Sequence, residues 1–418
     1  MVQFNALLAA FLIVFLLRVL LREGLAFLNI RHLQRHGRTV PEMLRGEIDE
    51  GTLSRMTDYT VESSRFATLE EIAGDLLTLA VLFCGVLPWL TGVLAGLQFP
   101  FVLSGLVFFG TLALAGGMFG LPFDLYRTFG IEKRYGFTTM TFRLWVADLL
   151  KNFAVSTVLM GLLGGAFLSL LHYAEESWWI WSWLVFASFQ LLMLWLYPVV
   201  IAPLFNRYEP IQDTDLKEAV MDLANRAGLE VSGIYQVDEG KRSRHTNAYF
   251  TGLGKTRRIV LYDTLLASST QQEILSVLAH EIGHWKKRHI LKQLIFMEAA
   301  SLGLFYLFSR LLDWPLLHST FGFPQPVTYA GLLLIAILTG PLFFFLSPLA
   351  AAVLRRFERE ADDFSRALLG TSAPMVSALK RLAKDNLSNL FPHPLYVAFH
   401  YSHPPLLERI SRLMPRQP

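Results

Sequence analysis

Two histidines and a glutamate stand close together in the segment His280-Glu281-Ile282-Gly283-His284. Thr270 followed three residues later by Glu273 is a capping-box pattern, which predicts that a helix begins shortly before this segment. Imidazoles four positions apart on a helix share one face, as two zinc ligands from one helix require. Glu281 beside them is suited to accept a proton from an attacking water molecule. Gly283 lowers helix propensity by about 1 kcal/mol relative to alanine, so we expect another segment to approach closely there.

A second charged group follows in the run 355–363, Arg-Arg-Phe-Glu-Arg-Glu-Ala-Asp-Asp. If this run is helical, Glu358 could bind the metal while Asp362, one turn later, accepts the free ring N–H of a zinc histidine. Two histidines and one carboxylate would leave the fourth zinc position open, which is typical of a catalytic site. The alternatives are two surface histidines on an amphipathic helix and a solvated charged helix with i,i+4 ion pairs; we interpret Glu360 and Asp363 in this second way.

The composition indicates a membrane protein. Hydrophobic residues make up 53% of the 418 residues and charged residues only 17%. The formal net charge of +3 does not suggest a nucleic-acid partner. Cys84 is the single cysteine, so any metal site must be built from His, Asp and Glu.

Seven apolar segments are long enough to cross a bilayer, and the first is interpreted as a retained helix rather than a cleaved signal peptide. Arg18 inside the first span is expected to extend to the membrane surface. Glu298 inside the sixth is expected to face an internal cavity, with a protonated, helix-packed carboxyl as the alternative. The predicted spans are approximately 4–21, 74–97, 101–121, 151–172, 178–202, 290–312 and 327–350.

The distribution of Lys and Arg predicts the orientation. Three loops are rich in basic residues: the first loop, the loop around Lys133 and Arg134, and the long loop from Arg207 to His289, which includes Lys255 and Arg257. The loops on the opposite side carry almost none. With seven spans, the N-terminus lies outside and both parts of the metal site lie in the cytoplasm.

The predicted fold is therefore mainly α: a polytopic membrane protein of seven transmembrane helices with a cytoplasmic α+β metalloprotease domain. Residues 1–202 form an N-terminal membrane region with five spans, and residues 203–418 form the metalloprotease region with two more. In the latter we predict a helix from Asp215 to Ala227 and strands at Gly233 to Val237, Thr246 to Phe250 and Arg258 to Tyr262. The helix that begins at Thr270 is expected to run into the sixth span.

Several motifs together resemble one family, the type I CAAX prenyl proteases, which are integral-membrane zinc endopeptidases. The resemblance covers nearly the whole chain and is far more specific than the zinc motif alone. The matching motifs are Ile131 to Phe137, Pro203 to Tyr208, His245 to Phe250, Arg258 to Leu265, the 280–284 helix, Phe357-Glu358 with Ala361-Asp362, and His400 to Arg409.

The resemblance implies a chamber enclosed by the seven helices, with one zinc ion per chain facing it from the cytoplasmic side. It implies that His280, His284 and Glu358 are the ligands, that Glu281 is the base and that Asp362 supports a ligand. It further implies that His403 stabilises the tetrahedral intermediate, as a histidine near zinc can by donating a hydrogen bond to the developing oxyanion. Arg409 is implied to position substrate.

The strand at Asn247 and Ala248 is expected to pair with an extended substrate; an ordinary strand of a small sheet is the alternative. His393 and His400 are interpreted as structural, and nothing in the sequence requires His245 or His289 at the site.

The leading hypothesis is a membrane zinc endopeptidase that removes the C-terminal tripeptide of prenylated CAAX proteins. A general protease for damaged membrane proteins and a transporter or receptor with a structural metal remain as alternatives. The expected partners are the lipid bilayer and a peptide or protein substrate, possibly prenylated; the sequence leaves the oligomeric state open. Short loops and an ending Arg416-Gln417-Pro418 without a retrieval signal favour the inner membrane of a prokaryote, with the endoplasmic reticulum as the eukaryotic alternative.

Overall fold

The computed structural model describes residues 2–251 and 258–414, so Lys255, Arg257 and the final Arg416 to Pro418 lie outside the described residues. The described chain is predominantly helical, with one small sheet. Its helices are α1 (Ala6–His36), α2 (Glu50–Phe83), α3 (Val86–Gly96), α4 (Phe101–Tyr126), α5 (Phe142–Leu159), α6 (Gly165–Tyr173), α7 (Trp178–Leu196), α8 (Ala202–Phe205), α9 (Thr214–Arg226), α10 (Asp263–Ser268), α11 (Gln271–Lys286), α12 (His289–Leu312), α13 (Pro315–Thr320), α14 (Thr328–Leu369), α15 (Ala373–Asp385), α16 (Pro394–His400) and α17 (Leu406–Leu413). The strands are β1 (Tyr208–Pro210), β2 (Gly233–Val237), β3 (Ala248–Thr251) and β4 (Arg258–Tyr262).

Five helical segments of the described chain are long and apolar enough to cross a membrane, and they correspond to the third to seventh predicted spans. A sixth would be the pair α2 and α3, which bends by 55°. The bend falls at Gly85, whose φ of 71° cannot continue a right-handed helix. The five segments are Phe101–Glu132, Phe142–Tyr173, Glu175–Phe205, His289–Leu312 and Thr328–Leu369.

The first predicted span lies in α1, which is not apolar enough over a membrane-spanning length to be counted with these segments. By length and composition the structure therefore supports five or six spans rather than seven. The first 18 residues of α1 include three charged side chains, Arg18, Arg22 and Glu23. Arg18 was expected to extend to the membrane surface, which stays a prediction; in the structure its guanidinium forms an ion pair with Asp75 of α2. Asp75 also accepts a hydrogen bond from Arg22 at 2.8 Å, so a charged network joins the two helices.

Glu298 of α12 lies against α7. The indole N–H of Trp183 donates to the main-chain oxygen of Glu298 and to the Ser301 hydroxyl, each at 3.2 Å. Both carboxyl oxygens of Glu298 are buried and lack a hydrogen-bond partner among the described residues. This environment favours the helix-packed alternative over the predicted water-filled cavity.

The four strands form one sheet in the order β1-β2-β4-β3. β2 and β4 pair in parallel, with Ile234 opposite Ile259, while the two outer strands pair antiparallel to their neighbours. β2 and β4 confirm their predictions, and β3 begins two residues later than predicted, at Ala248. β1 was missed because it has only three residues and ends in Pro210.

The α11 helix does not run into the sixth span, as the sequence had suggested. It ends at Lys286, and Arg288 adopts a left-handed conformation with a φ of 55° before α12 begins at His289. The seventh predicted span, in contrast, continues well beyond residue 350, because α14 is one helix of 42 residues. The same helix therefore carries the last predicted span and the acidic residues of the site.

Three groups of buried apolar side chains stabilise the fold. One lies between the membrane helices, around Phe108. A second joins the sheet to α9 and α11, with Ile259, Leu261, Leu278 and Ile282 essentially inaccessible to solvent. The third packs the first loop and the start of α2 against α15 and α17, so the N-terminal and C-terminal parts of the chain share one core.

Candidate metal centre

The α11 helix presents the two histidines as the sequence predicts. Thr270 and Glu273 form a complete capping box: the Glu273 N–H donates to the Thr270 hydroxyl, and the Thr270 N–H donates to the Glu273 carboxylate at 2.8 Å. The Glu273 side chain is also held by Ser377 and Arg381 of α15. The start of the helix is thereby fixed by local and long-range contacts, which sets the direction in which the following turns point.

Gly283 allows α14 to approach the histidine-bearing helix, as expected. A Cβ atom at this position would lie 3.0 Å from the Cα and 3.1 Å from the carbonyl oxygen of Ala361. No larger residue fits without moving the backbone of one helix. Because Ala361 lies between Glu358 and Asp362 on α14, this close contact brings both carboxylates to the histidine pair.

The three predicted ligands meet at one point. The Nε2 atoms of His280 and His284 are 3.2 Å apart, and they lie 3.3 Å and 3.2 Å from the two carboxylate oxygens of Glu358. Ligand atoms about 2.0–2.1 Å from a tetrahedral ion are separated by about 3.3 Å. One ligand atom from each of the three side chains lies within 4.8 Å of the others, so together they could hold a zinc ion. Oε2 of Glu358 is buried and lacks a hydrogen-bond partner in the described chain. A carboxylate oxygen left without a proton donor in a buried site is suited to bind a cation.

His280 is supported on its outer side by Asp362. Its Nδ1 lies 2.9 Å from Oδ1 of Asp362. Burial lowers the pKa of His280, but the contacts with Asp362 and Glu358 outweigh burial and raise that pKa to about 9. A metal ion at this site would therefore displace a proton from His280.

Arg409, expected to position substrate, contacts Asp362. Its Nε and one terminal nitrogen donate to the two oxygens of Asp362 at 3.0 Å and 2.7 Å. The other terminal nitrogen lies 4.0 Å from Glu358. The guanidinium is largely buried, so a bidentate ion pair fixes the carboxylate that supports His280.

His284 is supported by two residues that the sequence interpretation left out. Its Nδ1 lies 3.1 Å from Nδ1 of His289, and Nε2 of His289 lies 3.1 Å from Glu360. Glu360 had been interpreted as part of a solvated helix with i,i+4 pairs, and its pair with Arg356 agrees with that interpretation; its contact with His289 was not predicted. A sequence signal existed in the third histidine, five residues after His284, but it depends on the helix break at Arg288.

The remaining predicted side chains border the cluster. Glu281 is half buried, and burial raises the pKa of its carboxyl group. The pKa therefore lies closer to neutral pH than that of an ordinary glutamate, as suits a general base. His403 is 61% exposed, and its Nε2 lies 3.3 Å from Glu358. Desolvation lowers the pKa of His403 despite the attraction of the Glu358 charge, so its imidazole is predominantly neutral at pH 7.

β3 is an edge strand, as its expected role requires, and it packs against α11. Ala248 is buried with the apolar side chains of that helix. The Asn247 main-chain oxygen accepts a hydrogen bond from the N–H of Tyr262 on β4. The N–H of Ala248 donates to the side chain of Asn247 at 2.8 Å, so an incoming strand would have to displace this contact to use that donor.

The other histidines lie outside the ligand cluster. Nδ1 of His393 accepts a hydrogen bond from the N–H of Leu395 at the start of α16, and His400 stacks on Tyr396. Both contacts agree with the structural interpretation. His245 contacts Glu132 at 3.6 Å and Asn386 at 2.8 Å; it joins the segment that follows α4 to the residue that follows α15.

Comparison with known proteins identifies the family. A family model described as the CAAX prenyl protease N-terminal region with five membrane helices matches residues 29–207, and one for peptidase family M48 matches residues 210–417. The CAAX prenyl protease 1 homolog of Arabidopsis thaliana is 34% identical over 90% of each chain. The chain belongs to the CAAX prenyl protease 1 family of M48 peptidases.

Other relatives agree with this assignment. The CAAX prenyl protease 1 of Saccharomyces cerevisiae is 32% identical, over 93% of this chain and 91% of the yeast protein. The crystal structure of S. mikatae Ste24p superposes with a TM-score of 0.92 at 29% identity and covers 99% of this chain and 100% of Ste24p. The resemblance inferred from sequence is confirmed. The chain is a membrane metalloprotease with a Ste24p-like fold of membrane helices and a small sheet.

Proposed function

We propose that this protein is a zinc endopeptidase with one zinc ion per chain, held by His280, His284 and Glu358, and that it cleaves C-terminal tripeptides from prenylated CAAX proteins. The observation that supports the metal site most directly is the 3.2–3.3 Å spacing of the three ligand side chains. Zinc in such a site supplies Lewis acidity for peptide hydrolysis. Imidazole and carboxylate ligands favour zinc among the common divalent ions.

In the proposed reaction Glu281 is the general base. It accepts a proton from the attacking water and delivers it to the leaving amine, and its raised pKa suits both transfers. His403 lies on the open side of the cluster, where its N–H can donate to the oxyanion as the carbonyl becomes tetrahedral.

Two residues have positioning roles in this proposal. Asp362 orients the His280 ring, and Arg409 holds Asp362 through its two hydrogen bonds. The third nitrogen of Arg409 faces the cluster, and we retain it as the group that positions the substrate. Removing the Arg409 guanidinium would therefore affect metal binding as well as substrate binding.

We propose that the substrate backbone extends along β3, with Asn247 and Ala248 at its edge. This strand packs on the helix that carries the ligands, so a peptide paired with it would lie near Glu281. The apolar windows of the five membrane segments are only 0–17% buried. Helices so poorly covered by one another are compatible with a chamber on one side and lipid on the other, and an isoprenoid chain would find apolar walls there.

We also propose that residues 1–202 and 203–418 form the membrane and protease regions. The basic loops support a catalytic region in the cytoplasm. An N-terminus outside additionally requires α1 to cross the membrane, and it is proposed on that condition. Location in a prokaryotic inner membrane remains a prediction, as does the endoplasmic reticulum alternative.

The decisive experiment compares the wild type with Glu281→Gln in detergent, with peptide cleavage and metal content measured on the same samples. We expect both proteins to hold one zinc ion and only the wild type to cleave a farnesylated CAAX peptide. Equal activity of the two proteins would favour a transporter or receptor with a structural metal. Cleavage of an unfolded membrane protein but not of the farnesylated peptide would favour the quality-control alternative.

A further inference from the structure

His289 lies next to the metal centre because the chain breaks before it. In an unbroken helix, a residue five positions after His284 would point about 140° away from it. The left-handed Arg288, with a φ of 55°, ends α11 and returns the His289 ring to His284. A left-handed conformation costs an ordinary residue roughly 1–2 kcal/mol. Such strain persists where surrounding contacts enforce it, often beside functional groups.

The contacts define which nitrogen of each ring carries a proton. Nε2 of His284 faces the ligand cluster, so in the metal-bound state its Nδ1 carries the proton. Nδ1 of His289, 3.1 Å away, must then accept that hydrogen bond. The proton of His289 is consequently on Nε2, where the Glu360 carboxylate accepts it at 3.1 Å.

The environment holds the His289 ring in this orientation. The side chain is completely buried, and it stacks on Phe357 with ring centroids 4.1 Å apart and planes inclined by 8°. The second oxygen of Glu360 accepts a hydrogen bond from Arg356 at 2.9 Å. His280 is backed directly by Asp362, whereas His284 is backed by a carboxylate through an intervening imidazole.

We propose that His289 is a positioning residue for the metal ligand His284 and that Glu360 fixes the tautomer of His289. This inference rests on the proposed metal site. It predicts that the pair raises the affinity for zinc by keeping the His284 ring aimed at the ion, without touching the substrate. Loss of such an outer contact typically weakens metal binding or activity 10- to 100-fold.

The test measures zinc affinity of the full-length protein in detergent by competition with a chromogenic chelator. His289→Phe keeps the ring stacking and burial but removes both nitrogens, and His289→Asn keeps an acceptor toward His284. Glu360→Gln removes the charge that fixes the tautomer. Asp363→Asn is the matched control, since Asp363 carries a like charge on the same helix but pairs with Arg412 and Arg366. The absorption spectrum of the cobalt-substituted proteins and the unfolding temperature of the metal-free proteins are recorded in parallel.

We expect His289→Phe to raise the zinc Kd 10- to 100-fold and to shift the cobalt spectrum, with the metal-free unfolding temperature unchanged. His289→Asn should fall between it and the wild type, Glu360→Gln should raise the Kd severalfold, and Asp363→Asn should match the wild type. A zinc Kd for His289→Phe within about threefold of the wild type overturns the inference. If that variant does not fold, a wild-type Kd and cobalt spectrum for both His289→Asn and Glu360→Gln overturn it instead. A wild type that binds no zinc would refute the proposed function itself, and the two failures are therefore distinguishable.

Discussion

Replacing Gly283 by alanine tests whether helix spacing controls the metal centre. The new methyl group would lie 3.0 Å from the Ala361 backbone, where ordinary contacts begin near 3.4 Å. The helices must therefore separate by about 0.4 Å at this point. Metal–ligand distances tolerate only about 0.2 Å of error, and Glu358 and the two histidines lie on opposite sides of the contact.

Two opposing effects set the magnitude. Alanine is favoured over glycine inside a helix by about 1 kcal/mol, whereas an extra methyl group in a well-packed contact costs about 1–3 kcal/mol. The metal-free protein can relax by separating the helices, so its stability should change little. Zinc binding requires the original helix spacing, so it must press the new methyl group back against Ala361. The overpacking cost of about 1–3 kcal/mol should therefore appear as a roughly 5- to 150-fold increase in the zinc Kd.

The assay is a chelator-competition titration of the zinc Kd, accompanied by thermal unfolding without metal and by peptide turnover at saturating zinc. Gly303→Ala in α12 is the matched control, because nothing lies within 4 Å of a Cβ at that position. We expect this control to bind zinc as the wild type does. A Gly283→Ala protein with wild-type zinc affinity would refute the conclusion that the close contact sets the ligand geometry.

Two further predictions concern the elements around the site. Thr270→Ala removes the hydrogen bond from the Glu273 N–H to the Thr270 hydroxyl, which should lower the free energy of opening the first turn of α11 by about 1 kcal/mol. Amide hydrogen exchange in that turn should become about fivefold faster. An unchanged exchange rate would show that Ser377 and Arg381 alone fix this end of the helix. His245 has a pKa raised by the neighbouring Glu132 carboxylate, with burial opposing and the hydrogen bond to Asn386 adding to the effect. Its contribution to stability is therefore fully present below the ordinary histidine pKa of about 6.5 and is lost as the pH rises through the higher folded-state pKa. Unfolding temperatures of the wild type and His245→Gln should differ more at pH 6 than at pH 8.5, and a constant difference would contradict the assignment.

The parts of the site that local sequence encodes could be predicted. The capping box determines where α11 begins, and the four-residue spacing then places His280 and His284 on one face. Gly283 signalled a close approach because glycine is costly in a helix without such a reason. The acidic pair Glu358 and Asp362 could be paired with the histidines by face and spacing, and the family motifs supported the same choice.

The parts of the structure that depend on contacts between distant segments could not be predicted from the sequence. The Lys286-Lys287-Arg288 run has no glycine or proline to mark a break, so the helix was expected to run into the sixth span and nothing required His289 at the site. Pro341 and Pro348 would ordinarily suggest interruptions, yet α14 continues through both. Prolines are tolerated in membrane helices where neighbouring groups satisfy the freed carbonyls. Arg18 could not be paired with Asp75 without knowing that α1 and α2 lie side by side.

The structure also suggests why the candidate metal centre lies where it does. The two histidines belong to a helix held by the sheet and α15, whereas Glu358 and Asp362 belong to the continuation of the last membrane helix. A metal bound here would thus join α11 to the continuation of the last membrane helix at the point where Gly283 lets their backbones touch. Arg409 and Asp362 add a second link from α17 to α14. If α14 moved within the bilayer, Glu358 would move away from the two histidines while the sheet kept its structure. Catalytic activity should therefore depend on correct assembly of the membrane helices.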